Sequence, residues 1–168
     1  MSKKIIETKR LYLEELEQRH FDQLYRLLSN PKVQEYFPKT LDKKETQDFL
    51  NKIQQHYKTY GYCFLAVIRK SDNEFIGICG LLRQQINGIE EIEVSYRLLD
   101  DFWGNSYGTE AAKGCLDYAK NQLNATSVIS LILADNKQSI RVAEKNGLSF
   151  EKVTLFQNLP HRVYRKDL

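Results

Sequence analysis

Residues 96–112, Tyr96-Arg97-Leu98-Leu99-Asp100-Asp101-Phe102-Trp103-Gly104-Asn105-Ser106-Tyr107-Gly108-Thr109-Glu110-Ala111-Ala112, read as the end of a strand, a loop of small residues and the first turn of a helix. A helix opening out of such a loop leaves its first backbone N–H groups without intrahelical partners. It also turns the positive end of its dipole outward. The stretch is therefore suited to a phosphate or pyrophosphate.

The pattern on either side extends this strand-to-helix unit. Residues 91–98 alternate cleanly, with Ile92, Val94, Tyr96 and Leu98 on one face and Glu91, Glu93, Ser95 and Arg97 on the other. Residues 107–121 are helical. The apolar run 128–133 suits a strand buried on both faces. Residues 137–146 form a further helix with Gly147 at its C-terminal end. Two closing strands, 148–156 and 161–167, are joined by Asn158-Leu159-Pro160.

Toward the N-terminus, residues 63–68 and 75–82 are strands, with a turn at 70–73 and another at Asn87-Gly88. Asp42 followed by Glu45 starts a helix that carries Phe49, Leu50, Ile53 and Tyr57 and ends at Gly61. Residues 18–28 form an earlier helix, stopped by Asn30-Pro31. Residues 5–14 are an opening strand with Leu11 and Leu13 on one face. The order is strand, two helices, three strands, helix, strand, helix, two strands. It predicts one α/β domain spanning residues 1–168, with a mixed sheet flanked by about four helices.

Composition narrows the function. With 42% hydrophobic and 28% charged residues, the chain has the balance of an ordinary folded domain. The net charge is only +3 and the basic residues are dispersed, which argues against nucleic acid. Cys63, Cys79 and Cys115 form no CxxC pair and sit in apolar contexts, as small core residues do in a reducing cytosol. His20, His56 and His161 are far apart and offer no metal-ligand spacing. No run is long enough for a membrane span, and the N-terminus lacks the apolar stretch of a signal peptide, so a cytoplasmic location is expected.

Five short motifs occur in order. They are Thr8-Lys9-Arg10-Leu11-Tyr12-Leu13, Phe75-Ile76-Gly77-Ile78-Cys79-Gly80, Glu93-Val94-Ser95-Tyr96-Arg97-Leu98, Trp103-Gly104-Asn105-Ser106-Tyr107-Gly108-Thr109-Glu110-Ala111, and the run from Asp135-Asn136-Lys137-Gln138-Ser139 to Asn146-Gly147-Leu148. Together they resemble the GCN5-related N-acetyltransferase (GNAT) superfamily, and most closely its ribosomal-protein N-terminal acetyltransferase branch. The likeness covers essentially the whole chain.

The resemblance implies acetyl-CoA as cofactor and an amine as acceptor: a protein N-terminus, a polyamine, an amino acid or a drug. It implies no metal. Strand 91–98 would splay from 128–133 and hold the pantetheine arm in the gap, through the backbone of Tyr96 and Leu98, with Arg97 between them. Trp103, Gly104, Asn105, Ser106, Tyr107, Gly108 and Thr109 would wrap the pyrophosphate, and the Asn136 side chain would reach the pantetheine from the far side. Tyr36, Phe37 and the helix after Asp42 fall where the acceptor pocket is shaped. Homodimers are common among relatives, and an exposed closing strand offers one route to them. Ser106 stands where the family usually has glycine; either the backbone there is αR and tolerates serine, which is the expectation, or the loop is displaced.

Attack of an amine on a thioester needs a base for the nitrogen's proton, a donor for the oxyanion and a proton for the departing thiolate. Glu93 matches the acidic position of the family pattern and is the candidate base; on its own it reads equally as a solvated strand carboxylate beside Glu91. Ser139 is the candidate acid; on its own it reads as a first-turn hydroxyl bonding local backbone. The backbone N–H of Val94 or a neighbour is the oxyanion donor the family implies. Many relatives carry a tyrosine where this chain has Ala143. Loss of that donor keeps a second reading open, a non-catalytic acyl-CoA-binding or regulatory domain on the same fold.

Overall fold

The computed structural model describes residues 3–168; Met1 and Ser2, at the head of the segment read for a signal peptide, lie outside them. Eight strands form one mixed sheet: β1 (Lys4–Glu7), β2 (Leu11–Glu15), β3 (Phe64–Arg69), β4 (Glu74–Ile86), β5 (Ile89–Leu98), β6 (Ser127–Ile132), β7 (Ser149–Phe156) and β8 (Leu159–Asp167). Their spatial order is β1-β2-β3-β4-β5-β6-β8-β7. The helices are α1 (Phe21–Leu28), α2 (Lys43–Tyr60), α3 (Tyr107–Asn121) and α4 (Lys137–Lys145).

The sheet is a middle layer. On one face, Leu24, Leu27 and Leu28 of α1 and Leu50 and Ile53 of α2 pack with Phe64, Ala66, Ile68 and Ile78. On the other, Ala111, Ala112, Cys115 and Leu116 of α3 pack with Leu13, Val67, Ile76, Val94 and Leu98. Burial on both faces is what the period-two strands and amphipathic helices require. The start of α2 is a capping box, with Asp42 accepting from the Glu45 N–H at 2.8 Å and Glu45 from the Asp42 N–H at 3.1 Å. Gly61 ends that helix in the left-handed region.

Two elements differ from the sequence reading. The single opening strand is a pair, β1 and β2, reversed at residues 8–10. A local turn, in which the Thr8 N–H donates to the Leu11 carbonyl at 2.9 Å and the Leu11 N–H to the Thr8 hydroxyl at 3.1 Å, is held by a distant group: the Glu110 carboxylate of α3 accepts from the Thr8 hydroxyl at 2.6 Å and from the Arg10 N–H at 2.8 Å, and pairs with the Arg10 guanidinium at 2.7 Å. Glu110 is therefore a tie between α3 and the β1–β2 reversal rather than a simple surface residue. The closing turn is also displaced. Gln157 and Asn158, both at positive φ, make a two-residue hairpin turn, and Leu159 and Pro160 belong to β8. Pro160 is tolerated because it lies beyond the end of the β6 ladder, which starts at Arg162.

The feature that positions the site is the β5–β6 junction. β4 and β5 are paired along the whole length of β5, from Ile89 to Leu98. β5 and β6, which run parallel, are bridged only at Glu93 and Ile129. Beyond that bridge they part.

Candidate active site

Backbone alternation decides what faces the gap. The Leu99 N–H donates to the Ile76 carbonyl at 2.9 Å, so odd-numbered residues of β5 turn their backbone groups to β4 and even-numbered ones turn to the β6 side. The Ser130 hydroxyl donates to the Val94 carbonyl at 3.0 Å on that side. The backbones of Tyr96 and Leu98 follow into the open part of the gap. The Trp103 indole N–H takes the Leu98 carbonyl at 2.9 Å, which leaves the Leu98 N–H rather than its carbonyl for a ligand.

Two open clefts, of about 950 and 1200 Å³, meet at this gap. They share Tyr36, Phe37, Tyr96, Arg97, Asn136, Ser139 and Val142, so they form one groove running through the sheet. The larger is lined by Trp103, Gly104, Ser106, Tyr107, Gly108 and Thr109. Asn105 is set apart from it: its side chain folds back onto the Phe102 and Trp103 carbonyls, and its own carbonyl accepts from Arg10 at 3.0 Å. Lys32 and Lys137, which sequence reasoning passed over, also line this cleft, together with Glu35 and Asp135, and Lys32 pairs with Asp100 at 3.6 Å.

The helix start has the form an anion needs. Ser106 is the N-cap of α3 and makes no side-chain capping hydrogen bond. The first N–H groups of a fifteen-residue helix therefore open onto the cleft. Ser106 sits at φ 63°, ψ 19°, so the expectation of an αR backbone there is wrong. The loop turns through the left-handed region at both Gly104 and Ser106, and serine bears the conformational cost that glycine avoids. Gly108 is required for a different reason: a Cβ at this position would lie 2.9 Å from the Tyr96 ring.

The smaller cleft holds Glu93, Gln84, His161, Ser130 and Leu131 with the aromatic walls of Tyr36, Phe37 and Phe64. Glu93 is 6% exposed. Its carboxylate accepts from the Gln84 side chain at 3.0 Å and from the Leu131 N–H at 3.3 Å. Burial pushes its pKa up to about 7, against the pull of these hydrogen bonds and of the Arg97 charge. A carboxyl poised there exchanges a proton near neutral pH, unlike a solvated strand carboxylate.

Asn136 caps α4, its Oδ1 accepting from the Ser139 N–H at 3.3 Å. The Ser139 hydroxyl faces the Tyr96 phenol at 3.5 Å. The local contact of Ser139 is thus made by its N–H and not, as a first-turn serine alone would suggest, by its hydroxyl, which turns into the groove. Burial raises the Tyr96 pKa, so the phenol keeps its proton at neutral pH. Ala143 lines the smaller cleft close to these groups. Arg97 shares the face of Glu93 and Ser95, opposite α3, so its side chain lies on the other side of the sheet from the helix N-terminus. Its guanidinium stacks 3.7 Å over the Phe37 ring. Sequence reasoning missed Gln84 as a site residue, since it belongs to no motif; only the folding of β4 brings it to Glu93, and His161 of β8 lines the same cleft without a contact to that carboxyl. Among the described residues no cluster able to hold a metal ion occurs.

Comparison with known proteins agrees with this geometry. A family model for the acetyltransferase (GNAT) domain matches residues 10–149. The uncharacterized protein YkkB of Bacillus subtilis (strain 168) is 38% identical over 95% of this chain and 93% of its own length. The uncharacterized N-acetyltransferase p20 of Bacillus licheniformis is 29% identical over 90% of this chain and 84% of its own. An acetyltransferase from Agrobacterium tumefaciens str. C58 superposes with a TM-score of 0.86 at 22% identity, covering 100% of this chain and 96% of that one. RimL, a ribosomal L7/L12 alpha-N-protein acetyltransferase solved in complex with coenzyme A, superposes at 0.78 with 18% identity, covering 99% and 98%. A groove through a splayed sheet, an uncapped helix N-terminus on one side of it, and a family match spanning both identify the chain as a member of the GNAT acetyltransferase family, an acetyl-CoA-dependent N-acetyltransferase.

Proposed function

We propose that acetyl transfer proceeds by direct attack in a ternary complex, with Glu93 as base. The observation that carries this reading is the Glu93 carboxyl itself, buried at the parting of β5 and β6 and titrating near neutrality. Acetyl-CoA lies with its pyrophosphate on the N–H groups of residues 106–109 and its pantetheine against the gap-facing backbone of Tyr96 and Leu98. The acceptor enters the smaller cleft from the Glu93 face. Glu93, directly or through water, takes a proton from the ammonium. The free nitrogen attacks the thioester carbon, and the carbonyl oxygen gains negative charge. Val94 sits at the strand bridge, so the Tyr96 N–H, its neighbour on the open side, is the better oxyanion donor. The carbonyl re-forms as the carbon–sulfur bond breaks; the thiolate takes a proton through the Ser139 hydroxyl, which Tyr96 backs, and the second proton that the nitrogen sheds in becoming an amide restores that hydroxyl.

The acceptor is an amine, and the fold relation to RimL favours a protein N-terminus over a small molecule. The cleft carries a cation and aromatic walls beside one carboxylate, which weighs against a polyamine. Three free, buried cysteines fit a reducing compartment and hence a cytoplasmic location; no helix among the described residues is long and apolar enough to cross a membrane. β7 is an edge strand with Phe150, Val153 and Leu155 exposed, which would suit a homodimer.

The test is calorimetric titration with acetyl-CoA and with CoA, followed by thiol release with a panel of peptide and small-molecule amines. Saturable one-to-one binding with turnover of an amine supports the reading. Binding with no turnover of any amine would overturn the reading of Glu93 and Ser139 as base and acid.

A further inference from the structure

The Arg97 guanidinium feels the Glu93 charge but is in direct contact with no carboxylate. It is boxed by Phe37 at 3.7 Å, Phe49 at 5.3 Å and Phe64 at 5.7 Å. Nη1 donates to the Gln34 side chain at 3.2 Å, while Nε is buried without a hydrogen-bond partner. Among the described residues no carboxylate lies within 4.0 Å of it, whereas Arg10, Arg69 and Arg165 each hold one. The side chain as a whole is half-buried, but a buried N–H of a cationic group left without an acceptor is costly and persists where something else completes it. Burial pulls the Arg97 pKa down to about 10, so the group is still a cation at neutral pH.

The site is placed for the acceptor. Arg97 lines both clefts and shares its strand face with Glu93, four residues earlier. At strand rise the two Cα atoms are roughly 13 Å apart, a gap that both side chains shorten. The pyrophosphate-binding helix start is on the opposite face. An acceptor with its amine at Glu93 therefore passes its remaining chain toward the Arg97 fork, whose planar donors match a carboxylate.

We propose that Arg97 selects acceptors that carry a carboxylate several bonds away from the reacting amine. This deepens the reading above and rests on the acceptor entering at Glu93. The carboxylate can belong to a small ω-amino acid or to an acidic side chain just after a peptide N-terminus; the chemistry at Arg97 is the same.

Matched pairs test it. The whole protein, saturated with CoA, is titrated with 6-aminohexanoate against 6-aminohexanamide, and with Ser-Asp-Ala-amide against Ser-Asn-Ala-amide. The acid is expected to bind at least tenfold tighter than its neutral partner in one arm, and that arm names the source. In Arg97→Met the ratio should fall to within twofold; in Arg97→Lys, which keeps the charge but not the fork, it should be intermediate. Each ratio is read within one protein, so losses common to both ligands cancel. Equal binding within both pairs, tighter binding of the neutral members, no binding of any of the four, or an unchanged ratio in Arg97→Met overturns the proposal alone. Failure of CoA to saturate the protein overturns the functional reading and this proposal together.

Discussion

The Glu93 carboxylate accepts a hydrogen bond from the Leu131 N–H at 3.3 Å, across the point where β5 and β6 part. A side chain supplies what the next rung of the parallel ladder would have supplied from the backbone. The gap is thereby held open without orphaning that N–H, and the same contact keeps the carboxyl at the reacting end of the groove.

The pH dependence of the rate follows from this burial. In the role proposed for it Glu93 works ionised, and burial pushes its pKa up to about 7. With a fixed acceptor, kcat should rise with pH through about 7 and then level. Glu93→Gln should lower kcat by about 100-fold or more and flatten this rise, with the Kd for acetyl-CoA little changed. A rise near 7 that persists in the variant would assign the titration to another group.

Stability should move the opposite way. The folded-state pKa of Glu93 is above its ordinary value of 4.5. Below 4.5 the carboxyl is neutral in both states and its burial carries no charge penalty; as pH rises through about 7 the folded protein must hold a buried anion and stability is lost. Glu93→Gln removes that penalty. Its Tm relative to the parent should be higher at pH 9 than at pH 5 by roughly 5 °C. Thermal melts at the two pH values check this, and equal differences would mean the carboxylate is better solvated than its burial implies.

Ser106→Gly should stabilise the protein. Serine at φ 63° carries strain on the order of 1 kcal/mol that glycine lacks, and no capping hydrogen bond is lost with its hydroxyl. The expected gain is about 2–4 °C in Tm with the acetyl-CoA Kd within about threefold. A lower Tm would show that the hydroxyl makes a contact outweighing the strain.

Gly108→Ala should cost about 1–3 kcal/mol, because the new methyl meets the Tyr96 ring. It should also weaken acetyl-CoA binding by shifting the ring into the groove. In a Tyr96→Leu background the same change should cost less than about 1 kcal/mol. Denaturant unfolding of the four proteins closes the cycle; an additive result would locate the strain elsewhere.

Most of the fold was legible because it is written in local periodicity. The alternation of 91–98, the helical spacing of 107–121, the Asp42–Glu45 capping box and the apolar run at the β6 position all come from residues close in the chain. The two misread places are turns that carry no glycine or proline signal. Glu110 reaches back some hundred residues to hold Thr8 and Arg10 in a reversal. At the closing turn, Gln157 and Asn158 occupy positive φ without glycine, so the usual turn signal pointed one step too far.

The sequence by itself determined the α/β class, the strand-to-helix unit that makes an anion site, and the family, because strand and helix periods and the motif order are properties of neighbouring residues. Only the tertiary structure decided how that unit is used. It brought Gln84 and Leu131 onto Glu93, turned Arg97 away from the helix start and into an aromatic box, and set the Ser139 hydroxyl opposite the Tyr96 phenol. Those outcomes depend on burial and on side chains meeting across strands, and desolvation, the force that moves Glu93 to neutrality, exists only once the chain has closed around it.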